Sequence, residues 1–104
     1  MPQFDVVENA NPETSGQMPF LLVLQADLFD GLATRVVAPL IPLEMSGPTL
    51  DRLNPVISIE EDSYVVSIAE LAGVPVQALG DHVVSVTGSR LEVISALDFL
   101  FTGS

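Results

Sequence analysis

Along most of this chain the apolar residues come in short runs divided by turn formers, and only near its end do they take a helical spacing. Phe4, Val6 and Val7 mark a first strand over residues 3–8. Residues 9–17, rich in Asn, Pro, Thr, Ser and Gly, read as a turn-rich loop and as the most mobile segment. Phe20 through Leu24 form a continuous apolar run of the kind buried strands show. Asp30-Gly31 ends it. Residues 35–43 are extended, but Pro39 and Pro42 have no N–H to donate, which predicts a sheet edge or a strand end. After a break at 46–48, residues 54–69 predict a hairpin with Glu60, Glu61 and Asp62 at its tip. Residues 74–79 predict one more short strand, turned away by Gly80-Asp81.

The C-terminal segment has another period. Val93, Ile94, Leu97, Leu100 and Phe101 fall at i, i+1, i+4, i+7 and i+8, one apolar face of a helix, with Leu91 and Phe99 off that face. Ser89 and Glu92 have the S-x-x-E spacing of a capping box, and Gly103 stops the helix. An apolar helix that stops this sharply is docked as core or presented to a partner. Short strands with turns followed by one helix predict a mainly β fold, a small barrel or sandwich with a terminal α-helix.

Composition narrows the picture. The 104 residues form a single domain, 1–104, and 48% of them are hydrophobic, enough for one core. No run approaches the roughly 18 apolar residues of a membrane span, and no signal peptide is expected. The absence of cysteine removes disulfides and thiolate chemistry. These features favour a cytoplasmic protein. Fourteen acidic residues stand against three arginines, with a net charge of −11. Such a surface disfavours direct contact with nucleic acid or an anionic membrane and favours a basic partner.

Candidate chemistry is sparse. His82 is the single histidine, and it reads as an exposed or capping residue, since a catalytic base needs a nucleophile and an orienting group beside it. The acids at 60–62 read as a solvated turn, because a cation site needs more converging oxygens than one turn supplies. The lack of lysine excludes Schiff-base and P-loop chemistry. Arg35, Arg52 and Arg90 are the only permanent cations. Arg90, placed in the first helical turn against the dipole, reads either as a surface residue or as one retained for a contact. No enzyme, cofactor or metal is implied.

Six blocks in order resemble the CcdB toxin family. They are the start through Phe4; LVLQADLFD at 22–30; RVVAPL at 35–40; LNPVISI at 53–59 with Ser63 and Tyr64; AGVPVQALG at 72–80; and the final helix. The resemblance implies an SH3-like barrel-type antiparallel sheet with a C-terminal helix, the CcdB/MazF-like toxin fold. It also implies a symmetric homodimer that acts as the toxin of a type II toxin–antitoxin (plasmid-maintenance) module. Family members are not enzymes. They inhibit a topoisomerase by binding the DNA gyrase A subunit and trapping the covalent gyrase–DNA cleavage complex, and a CcdA-like antitoxin blocks them.

The family's gyrase contact carries over to Asp98, Phe101, Thr102, Gly103 and Ser104 at the helix end and to Leu28 and Phe29 in the turn after the second strand. Its antitoxin contact includes the loop matching residues 9–17. The family motif is Phe-Trp-Gly-Ile. Here Thr102 replaces the tryptophan and Ser104 the last apolar residue, and Asp98 stands where asparagine is frequent. A buried interface tryptophan is worth about 2–4 kcal/mol, or roughly 30- to 1,000-fold in affinity. The alternative reading is therefore a CcdB-fold interaction protein that has lost gyrase poisoning and only binds an antitoxin. An RNA-cleaving toxin on the same kind of barrel is disfavoured by the charge of −11. The acidity also predicts an antitoxin with a more basic binding arm.

Overall fold

The computed structural model describes residues 2–47 and 52–103. Among the described residues seven strands build one antiparallel sheet: β1 (Asp5–Asn9), β2 (Phe20–Val23), β3 (Thr34–Pro42), β4 (Val56–Ile59), β5 (Asp62–Val66), β6 (Ala72–Pro75) and β7 (Leu79–Ser85). Their order is β4-β5-β3-β2-β1-β7, with β6 also on β3. The one α-helix among the described residues, α1 (Arg90–Thr102), packs on one face.

The nine-residue β3 organises the sheet. One of its edges pairs with β2; on the other, Thr34–Val37 pair with β6 and Leu40–Pro42 with β5. Serving two neighbours along one edge curls the sheet into a half-barrel, the class of architecture expected. Of the two positions expected for this segment, the sheet edge is overturned, since β3 is central, while the strand end holds for Pro42, the last residue of β3. Its prolines sit where no donor is required. The Leu24 N–H donates to the Val36 carbonyl at 2.9 Å, so even-numbered β3 residues face β2 and odd-numbered ones face β5 and β6. Pro39 thus turns its nitrogen to the seam between β6 and β5, and its carbonyl accepts from the Ser67 N–H at 3.0 Å. Pro42 lies past the end of the β2 pairing.

The unbroken apolar runs follow from burial on both sheet faces. Val6, Leu22, Leu24, Ala38 and Leu40 join Phe4, Ile57, Ile59, Val66, Ile68, Val93 and Ala96 beneath α1. Their neighbours Val7, Leu21, Val23 and Val37 form a second cluster with Leu79 on the opposite face.

The single strand predicted at 74–79 is in fact two, β6 and β7, separated by a short 3-10 turn, Val76–Ala78. Gly80-Asp81 does not turn the chain away but lies inside β7. The reason is close approach rather than a turn: a Cβ on Gly80 would sit 3.0 Å from Glu8 Cβ and 3.1 Å from the Glu8 carbonyl oxygen. Gly80→Ala is therefore expected to destabilise the fold by about 1–3 kcal/mol. Urea unfolding that leaves the midpoint unchanged would contradict this packing.

The hairpin forms as expected, with Ile59 opposite Asp62 across Glu60-Glu61 and Glu60 at φ 58. Tyr64 in β5 meets Phe20 edge-on at 5.4 Å. Burial, then the nearby Asp62, Glu44 and Glu60 carboxylates, raise its pKa above the usual phenol value. Residues 9–17 are laced by their own side chains. Asn9 Nδ2 donates to Thr14 Oγ1 and to the Met18 carbonyl, both at 2.9 Å, and Asn11 Oδ1 accepts from the Glu13 N–H at 3.0 Å.

The helix starts without the predicted capping box: Ser89 makes no side-chain cap bond and sits at φ −97, ψ 11. A 3-10 turn, Thr87–Ser89, leads into α1 instead, so Ser89 lacks the extended backbone an N-cap uses. The core-facing stripe also differs from the periodic reading. Val93 and Ala96 are fully buried, Ile94, Leu97 and Leu100 pack partly, and Phe101 is exposed. Gly103 ends the helix as expected, at φ 75, its N–H donating to the Phe99 carbonyl at 2.9 Å. Among the described residues no helix is long and apolar enough to cross a membrane.

Candidate functional site

A short 3-10 turn, Asp27–Phe29, follows β2 and buries none of its residues. It lies beside the C-terminal end of α1. Phe29 from this turn, Leu32 from the bend that follows it, and Leu97 and Phe101 from the helix line an open groove of about 390 Å³, completed by Leu24, Gln25, Ala26, Val36 and Leu71. All but one of these side chains are apolar. Phe101 is 72% exposed, Leu32 55% and Phe29 50%, so an aromatic ring stands on each wall in contact with water. Exposed apolar groups gathered this way mark contact surfaces.

The structure brings together two of the site residues predicted from the family, Phe29 and Phe101, from segments far apart in the chain. Leu28 is 84% exposed but outside the groove lining. Asp98 is exposed on α1, and its carbonyl accepts from the Thr102 hydroxyl at 2.6 Å. Thr102 thus turns its polar atom back onto its own helix. Gly103 holds the left-handed end, while Ser104 lies outside the described residues. Asp27 and Asp30 flank Phe29 in the chain and Asp98 lies three residues before Phe101, but among the described residues no carboxylate lines the groove.

Sequence reasoning missed Leu32, Leu71 and Arg35. Leu32 carried a signal, an apolar residue inside an apparent break, but its meaning depends on where the turn docks. Arg35 is 7% exposed; its guanidinium donates to carbonyls of the turn rather than facing solvent. The other arginines lie on aromatic faces, Arg52 at 4.4 Å from the Phe99 ring centre and Arg90 at 5.6 Å from that of Phe4. Arg90 is a surface residue, as its default reading had it, that also makes a contact within the chain, over the Phe4 ring and to Gln3 Oε1 at 3.4 Å.

A larger cleft, about 530 Å³, opens on the other flank of α1 between Arg52, Pro55, Val56, Leu91 and Ser95. It contains none of the predicted site residues and is more mixed in polarity, so size alone does not favour it. His82 is exposed on β7, with Nε2 3.5 Å from an oxygen of the buried Asp5. Among the described residues no three His, Cys, Asp or Glu side chains gather as a metal site would require.

A curled antiparallel half-barrel with a terminal helix, and an apolar groove between that helix and the turn after β2, define the class of this protein as a small half-barrel β fold with a contact groove. A family model for CcdB protein matches residues 3–103. The chain belongs to the CcdB family, the toxin side of toxin–antitoxin modules. A solved structure described as "Crystal structure of Mtb toxin" is similar over 88% of this chain and 94% of that chain, with a TM-score of 0.70 and 18% sequence identity. At that identity the likeness supports the fold.

Proposed function

We propose that this protein is a toxin that binds the DNA gyrase A subunit through the groove at the end of α1 and traps the gyrase–DNA cleavage complex. In this reading it works in the cytoplasm as a homodimer, is neutralised by a CcdA-like antitoxin, and acts by binding rather than by catalysis, without cofactor or metal. The observation that supports it is the meeting of Phe29 and Phe101 across one exposed apolar groove, in a chain whose family places its gyrase contact on those two segments. Leu43, Met45, Val56 and Leu91, exposed outside the groove, offer apolar surface for the dimer to cover.

Thr102 favours a second reading. Its hydroxyl is folded back onto the Asp98 carbonyl, and it offers no large ring at the position where the family motif has tryptophan. In this reading the chain keeps the fold and antitoxin binding but no longer poisons gyrase.

One experiment separates the two. The purified protein is mixed with gyrase from its host, DNA and ATP, and trapped double-strand breaks are measured beside a Thr102→Trp/Ser104→Ile variant. Breaks with the unaltered chain are expected under the first reading. If only the variant traps breaks, at an apparent affinity roughly 30- to 1,000-fold better, the second reading holds. Breaks with neither protein would remove gyrase as the target.

A further inference from the structure

We propose that Arg35 is the positioning residue of the groove: through hydrogen bonds to the backbone of residues 30–34 it sets the wall that carries Phe29 and Leu32. The proposal rests on that groove being the gyrase-binding surface.

Packing does not hold this wall. The Asp27–Phe29 turn has no buried residue, and residues 31–34 are all exposed. Hydrogen bonds must therefore define its shape. Beside the backbone bonds from the Phe29, Asp30 and Leu32 N–H groups to the Ala26, Asp27 and Phe29 carbonyls, Arg35 supplies three from below, at 7% exposure in a chain with only three cations. A buried guanidinium must satisfy its donors or pay heavily for desolvation. Here Nη1 donates to the Leu32 carbonyl and, at 2.9 Å, to the Thr34 carbonyl, and Nη2 donates to the Asp30 carbonyl. Nε lies 3.5 Å from Asp30 Oδ1. The three carbonyls accept hydrogen bonds and the Asp30 carboxylate is an ion-pair contact; all belong to the short stretch that returns the chain from Phe29 to β3.

Gln25 clamps the other end. Its Nε2 donates to the Phe29 carbonyl at 2.9 Å, and its Oε1 accepts from the Val36 N–H at 3.2 Å. The planar fork is the reason for arginine at this position, because a lysine brings one point charge and cannot serve carbonyls spread around the turn. Arg35 touches no partner in this scheme; it acts through Phe29 and Leu32.

The test has an arm without partner and an arm with it. In the free protein, Arg35→Lys is expected to speed amide exchange at residues 28–33 by about ten-fold or more while Val6 and Leu22 stay protected. The chain has no tryptophan, so Phe29→Trp gives a clean reporter, and adding Arg35→Lys to it should red-shift the emission and lower the anisotropy. In the second arm, Arg35→Lys should weaken binding to the gyrase A subunit about ten-fold, and the Arg35→Lys/Phe29→Ala double variant should bind within about two-fold of Phe29→Ala alone. Ile59→Val, a truncation in the core away from the groove, should lower stability and change neither readout.

Unchanged exchange at 28–33, or binding losses that add fully with Phe29→Ala, would overturn the proposal. If Arg35→Lys does not fold, Gln25→Ala decides through the same exchange readout: faster exchange at 28–33 supports a wall held by these bonds, and unchanged exchange overturns it. If the unaltered protein does not bind the gyrase A subunit, the functional reading fails by itself, and the partner-free arm still settles whether Arg35 sets the wall.

Discussion

Phe101→Ala is expected to weaken binding to the gyrase A subunit by roughly 30- to 1,000-fold and to leave the fold almost untouched. The two effects separate because of where the ring sits. At 72% exposure it buries little in the free protein, so truncation should change stability by no more than about 0.5 kcal/mol. In the proposed complex the same ring fills the groove's mouth opposite Phe29, where an aromatic anchor is worth about 2–4 kcal/mol, and about 1.4 kcal/mol corresponds to each ten-fold change. Calorimetric titration and a thermal melt on the same sample would read both quantities. A lowered melting temperature with unchanged affinity would make Phe101 a packing residue and remove the groove as the contact. Phe29→Ala should also weaken binding, and the double variant should lose less than the two single losses combined, since both rings line one groove.

Phe4→Ala is expected to have the largest effect on stability, about 3–5 kcal/mol, a substantial part of the 5–15 kcal/mol that typically holds a domain together. Phe4 is 2% exposed, at the centre of the cluster beneath α1. Its ring also carries the Arg90 guanidinium at 5.6 Å. Its backbone adds an unusual feature: φ is 66, held by the Phe4 N–H donating to the Val23 carbonyl at 2.7 Å and by the Val86 N–H donating to the Phe4 carbonyl at 2.9 Å. For a bulky residue such a φ costs about 1–3 kcal/mol. Glycine normally destabilises by about 0.5–1 kcal/mol relative to alanine in regular structure, but here it would relieve the left-handed strain. Phe4→Gly should therefore be at least as stable as Phe4→Ala. Denaturant midpoints for the two variants test this; a clearly less stable Phe4→Gly would show that the φ at this position carries no strain.

Much of the strand pattern was legible because a residue's neighbours in sequence decide it. The runs at Phe20–Leu24 and Val36–Leu40 are apolar on consecutive positions because both sheet faces are buried, and that composition reads directly as buried strand. Pairing was not legible. Pro39 and Pro42 pointed to an edge or a strand end because a missing donor usually needs one. They are tolerated in a central strand only because β3 changes partners from β6 to β5 at Pro39 and outlasts β2 at Pro42. Gly80 read as a turn since glycine serves both turns and close contacts, and only the position of Glu8 across the strand pair shows which is meant.

For the site, local sequence together with the family pattern singled out the turn at 27–30 and the helix end. It also determined the chain's acidity, the helix with its stop at Gly103, and the lack of an aromatic at Thr102, all of which are properties of residue identity. The tertiary structure decided the rest. That Phe29 and Phe101 share a groove, that Leu32 belongs to it while Leu28 does not, and that Arg35 is buried beneath the turn rather than solvated all depend on contacts between segments distant in the chain. Residue type sets what a side chain can bond to, but only the folded chain sets what it finds there.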